Sequence, residues 1–195
     1  MGLILEDGKG SGKTVGVSTD NRLETEAITY SLEHHANHSH GKAFSLCFSQ
    51  SNTAAGDCIA YILNSDDEDM ILEGVSVGVT DCTANDSIYF KLGDTGTRNG
   101  ATALTPVNCN SGSGNSAVGT FEKGADLDGG SATLAGGSEY DRIIMAGITD
   151  KVSTYYNFEQ GIILPKNRTF TMWVDGSGTG TWYITLHFNY HGLEQ

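Results

Sequence analysis

Positive charge is scarce in this chain, proline is scarcer, and no long apolar run is present. Lysine and arginine together number 11 against 24 aspartates and glutamates, giving a net charge of −13. A surface this acidic repels phosphate backbones, so nucleic acid is excluded as the principal partner. The charge serves solubility, or complements a more basic partner surface. No stretch approaches the roughly 18 consecutive apolar residues of a membrane span. Leu3, Ile4 and Leu5 make too short an apolar core for a secretory leader and run directly into Glu6 and Asp7, so none is expected. The four cysteines, Cys47, Cys58, Cys82 and Cys109, form no C-x-x-C pair. Cys47 and Cys58 lie in apolar strand-like runs, where a thiol behaves as a small hydrophobe. All four read as free thiols of a protein made in a reducing cytoplasm, with three disulfide pairings formally open.

Catalytic signatures are missing as well. The stretch "EDGKGSGKT" imitates a phosphate-binding loop, but that motif needs a glycine five residues before Gly12, and Asp7 stands there. An aspartate in the cradle would repel a phosphate, and no strand–loop–helix context surrounds it. His34, His35, His38 and His40 cluster, with His34 and His38 spaced to share one helical face. No H-E-x-x-H motif and no acidic or cysteine ligand at a matching spacing accompanies them. A trimer axis receiving a histidine from each chain is the one arrangement in which they would bind metal. The acidic runs "NSDDEDM" and "DLDGG" do not fit a calcium-binding loop. They read instead as charged hairpin tips that keep a sheet edge from pairing. There is no G-x-S-x-G elbow, and a glycosidase-type carboxylate pair would meet in space rather than in sequence. The sequence thus predicts no enzyme, no cofactor and no metal.

What is abundant is glycine, with 26 residues dispersed along the chain, well above the usual share of about 7%. Glycine, threonine, serine and asparagine separate short apolar runs, the pattern of an all-β protein with many turns. Residues 1–24 lack any sustained period and read as an extended N-terminal arm, in which Leu3, Ile4 and Leu5 are anchors, Lys9 and Lys13 rare positive charges, and Val15 and Val17 strand-like. Residues 25–195 read as one β-sandwich domain. In its first stretch Ala27 and Tyr30 fit a helical face and Ile28, Tyr30 and Leu32 a strand face; a short helix ended by Gly41 is expected. Strands follow: "AFSLCFS", then "DCIAYILN" and "MILEGVSVGVT" as a hairpin across "SDDED", then "DSIYFKL", "SAVGTFE", "YDRIIMAG", "TYYNFEQGIIL", "RTFTMWV" and "TWYITLHFNYH". "GADLDGGSATLAGGS" reads as a loop or loosely paired edge. The sum is an all-β, jelly-roll-like sandwich of about eight to ten strands with the arm and one short helix. Trp173, Trp182, Tyr183, Tyr155 and Tyr156 could form a sugar-stacking platform, although their strand spacing suits core and sheet-face positions better.

Several stretches in order, "LILEDG", "NRLETEAIT", "EHHANHSHGKAFS", "AAGDCIAYILNSDDEDMILEGV", "KLGDTGT", "TPVNCNSGSGNSAVGTFEKG" and "IILPKNRTFTMWV", resemble a family of tailed-bacteriophage virion structural proteins of the head (capsid) decoration type. The resemblance spans nearly the whole chain and carries no catalytic motif. It implies a non-enzymatic cement protein on the outer surface of the virion head, made in the host bacterial cytoplasm. Its partners would be the major capsid protein and copies of itself in a homotrimer, with no nucleic acid and no membrane. The partner-binding residues would be those of the arm: Leu3, Ile4, Leu5, Lys9, Lys13, Val15 and Val17. The alternative is a receptor- or carbohydrate-binding module of a tail or head fibre.

Overall fold

The computed structural model describes residues 36–38, 40–80, 86–130, 133–145, 152–175 and 180–191. Eight strands of seven residues or more form the body: β1 (Ala43–Ser51), β2 (Asp57–Asn64), β3 (Asp69–Thr80), β4 (Asp86–Leu92), β10 (Ser138–Met145), β11 (Val152–Leu164), β12 (Thr169–Asp175) and β13 (Thr181–His191). Between β4 and β10 lie five shorter ones: β5 (Thr95–Gly96), β6 (Thr102–Ala103), β7 (Val107–Asn108), β8 (Gly119–Lys123) and β9 (Leu134–Ala135). The alternation of side chains explains most of this. In β13, Trp182, Ile184, Leu186 and Phe188 are buried while Tyr183, Thr185 and His187 point the other way, because successive strand residues face opposite sides.

Pairing among the long strands is nested. β1 pairs with β13, β2 with β12, β3 with β11, and β4 with β10, all antiparallel. The chain therefore runs as one long antiparallel ribbon that is wrapped into two sheets, ordered β11-β3-β13-β1-β7 and β10-β4-β12-β2-β8-β6. That wrapping is the jelly roll, and the expected all-β sandwich is the fold observed. Between the sheets lies a core that includes Phe44, Phe90, Phe170, Trp182 and Phe188. Phe90 stacks on Phe170 at 5.5 Å and Phe121 on Phe188 at 5.4 Å, geometry favourable for aromatic rings. The Trp182 indole N–H donates to Asn52 Oδ1 at 3.1 Å, so its burial leaves no donor stranded.

One expectation fails in an instructive way. β2 and β3 do not form a hairpin across "SDDED"; they belong to opposite sheets, and the segment is an arch between them. β2 is buried along nearly its whole length on both faces, whereas β3 alternates buried with half-buried positions. Asn64 makes the corner: its amide donates to Glu68 O at 2.8 Å and Leu164 O at 2.7 Å, while its Oδ1 accepts the Asp66 N–H at 2.9 Å. Among the described residues the expected short helix is seen at residues 36–38, followed as expected by Gly41 in the left-handed region at φ 59°. There the Gly41 N–H reaches Asn37 O at 3.0 Å. The rest of the segment in which Ala27 and Tyr30 were expected to be helical lies outside the described residues.

Candidate binding face

The two sheets present very different outer faces. On the six-stranded sheet, Trp173 stacks on Tyr89 at 6.2 Å, and a cation sits over each of three rings: Lys91 4.3 Å from Trp173, Arg142 4.5 Å from Tyr89, Arg98 4.5 Å from Tyr61. Each of those cations is also paired, Lys91 with Asp94 at 3.2 Å, Arg98 with Glu122 at 2.6 Å, and Arg142 with Glu139 and Asp175 at 2.9 Å each. Asp94 is fully buried and accepts from the Thr171 hydroxyl at 2.6 Å, the Trp173 indole N–H at 3.0 Å and the Gly137 N–H at 2.9 Å. Burial alone would raise its pKa, but those donors and Lys91 outweigh it and hold the carboxyl below its ordinary value. This face satisfies its own polar groups.

The loop "GADLDGGSATLAGGS" adds a cover to it. It is a loop, as expected, with Leu134 and Ala135 paired over two residues to β5, but its segment 124–130 is no charged tip: it lies over β2, with the Leu127 N–H donating to Cys58 O at 2.8 Å and Leu127 and Leu134 buried against Cys58, Tyr61 and Trp173. Two buried leucines explain the difference, since they gain more by covering the sheet than by projecting into water. Asp126 and Asp128 thereby meet Asp57, their nearest oxygens all within 4.8 Å of one another. The Asp57 carboxylate accepts the Thr53 and Ala54 N–H groups at 2.7 and 2.6 Å, Asp126 the Gly129 N–H at 2.8 Å, and Asp128 the Cys58 N–H at 3.4 Å. Burial, and then the hydrogen bond its protonated form donates to Asp126, push the Asp128 carboxyl up to about 6. The oxygens are hard donors of the kind that suit calcium, and the bond from the Cys58 N–H to Asp128 ties the loop to β2.

The five-stranded sheet is open. Across β11, β3, β13 and β1, register places Tyr155, Ser76, Thr185 and Cys47 in one outward row, and Ser153, Gly78, Tyr183 and Ser49 in the next. These rows hold no lysine, arginine or carboxylate, on a chain of net charge −13. Small side chains in the middle leave a shallow groove of about 380 Å³ lined by Cys47, Ser49, Ser76, Ser153, Tyr183 and Thr185. Tyr155 is 57% exposed and Tyr183 52%. Tyr155 leans across Gly74 toward His187, their ring centroids 6.5 Å apart. A Cβ at Gly74 would strike the Tyr155 hydroxyl, so the glycine is what lets this ring lie along the sheet.

Of the five aromatic residues that sequence offered as a platform, the structure keeps two on this face. Trp182 and Trp173 are buried, and Tyr156 packs against the core while its hydroxyl donates to Asp141. The arm residues Leu3, Ile4, Leu5, Lys9, Lys13, Val15 and Val17 lie outside the described residues, as do His34, His35 and Cys82. His38 and His40 are exposed near the helical turn. Cys47, Cys58 and Cys109 are free thiols, and burial pushes that of Cys58 far up, as suits an inert packing residue. Among the described residues no helix is long and apolar enough to cross a membrane. No protein-family model matches the chain, and no curated protein matches it significantly.

Proposed function

We propose that this chain is a non-enzymatic capsid decoration protein, seated on the outer surface of a bacteriophage head and holding the major capsid protein through its N-terminal arm. The reading rests on the sequence resemblance and is supported best by the nested jelly-roll body. Long-range antiparallel pairs tie both ends of that body together, so it keeps its shape while the arm is engaged elsewhere. Its edges suit an ordered lattice too. The edge strands β10 and β11 each carry a register break, between Glu139 and Asp141 and between Asn157 and Ile162. Bulges of this kind block uncontrolled strand addition. Copies in a homotrimer would meet there through side chains, with Tyr140 and Ile144, 46% and 67% exposed, as contacts.

The arm binds by laying extended chain on the shell: Leu3, Ile4, Leu5, Val15 and Val17 bury apolar surface, and Lys9 and Lys13 meet carboxylates. Ordering the arm costs entropy, which many repeated contacts across the lattice offset. Deleting residues 2–20 is expected to abolish co-sedimentation with undecorated capsids while leaving the far-ultraviolet spectrum of the sandwich in place. Undiminished binding would remove the arm from the account.

A further inference from the structure

Among the described residues, the outer face of the five-stranded sheet carries the groove best built for a ligand. We infer that its groove binds a short stretch, one to two rings, of an uncharged glycan chain. Three observations converge on that occupant. The groove volume, about 380 Å³, falls within the roughly 300–1,000 Å³ usual for small-ligand sites, and on an open sheet face it lets a chain continue past either end. Its lining offers the hydroxyls of Ser49, Ser76, Ser153, Tyr183 and Thr185, groups that both donate and accept, as do those of a sugar. Tyr155 and Tyr183 flank these hydroxyls with rings more than half exposed, giving apolar faces on which the C–H side of a pyranose can stack.

Charge selects among saccharides. The groove itself carries no charged side chain, while the chain as a whole is strongly acidic. An anionic sugar would meet no cation in the groove and a negative field around it. An uncharged sugar loses nothing there. The groove is lined by Phe48, Ile184 and Cys47 as well as by serine and threonine, and it is too shallow to seat the buried anchor side chain on which a protein contact ordinarily turns. On the proposed head lattice the same groove, repeated on every copy, would convert weak single-site binding into strong attachment.

The test uses the full-length chain, probed on an array of neutral oligosaccharides built from glucose, galactose, mannose and N-acetylhexosamines, together with uronate- and sialate-bearing counterparts. Neutral probes are expected to be retained and the acidic ones not. By titration calorimetry with a retained probe, Tyr183→Ala and Tyr155→Ala should each weaken binding about tenfold, the scale of losing a central aromatic contact. Tyr183→Phe, which keeps the ring, should stay within about threefold on the same reasoning. Ser153→Trp, which fills the groove from the β11 side, should abolish binding. Thermal melting of each variant checks that the sandwich is intact. Retention of no neutral probe, equal retention of acidic ones, or indifference to all four substitutions would overturn the proposal. So would loss of capsid binding in the tyrosine variants with no glycan retained, which would make the face a protein contact. Glycan binding that survives deletion of residues 2–20 separates this site from the arm.

Discussion

Asp128 illustrates how much a single buried acid can set. Its folded pKa, about 6, lies above the ordinary 3.8, so the stability it contributes is fully present below 3.8 and lost as pH rises through about 6. At pH 7 the ionised carboxylate is therefore held against burial and beside Asp126. Asp128→Asn keeps the oxygen that accepts the Cys58 N–H and removes the charge. The variant is expected to melt at higher temperature than the parent at pH 7, with the gap closing by pH 4. Thermal melts of both proteins across that range check it, and a gap independent of pH would show that Asp128 does not carry the effect. "DLDGG" shows Asp126 beside Asp128, but not the burial that is the larger cause of the shift, which arises only when Leu127 packs onto β2. Tyr183 was easier to place. Strict alternation through Trp182, Ile184 and Leu186 already put it on the opposite face from the core.

Strand identity was legible wherever one face is apolar, as in β1 with Phe44, Leu46 and Phe48 buried. Strand partnership was not. A hairpin and an arch both need two strands and a polar connection, and "SDDED" serves either. What distinguishes them is the two-sided burial of β2, which depends on a cover supplied some seventy residues later by the loop around Leu127. Asn64 is the residue that commits the chain to the arch. Asn64→Ala would strand the Glu68 and Leu164 carbonyls in a region where Asn64 itself is fully buried. Leaving buried acceptors unpaired costs about 1–3 kcal/mol each, so a loss of about 3 kcal/mol is expected from urea denaturation. A loss below about 1 kcal/mol would mean that the arch is held by its flanking strands alone. The bulge in β11 likewise hid which residues beyond Asn157 face outward, since a register break resets the alternation on which face assignment depends.

At the scale of the molecule, the two sheets divide the labour. One outer face is closed by ion pairs, stacked cations and a covering loop; on the other, the two rows that form the groove are neutral and carry hydroxyls. The jelly roll explains how one ribbon supplies both, because each successive turn of the wrapped chain sends its strands alternately to the two sheets. On the proposed reading, attachment to the shell through the arm and recognition of a glycan in the groove use separate parts of the chain. A reconstruction of the virion that carries this chain tests that account most directly. The account predicts jelly-roll density at repeated positions on the outer head lattice, with residues 1–24 traced along the major capsid protein and the five-stranded sheet facing outward. Density confined to the neck or to a tail fibre, with none on the head, would contradict it.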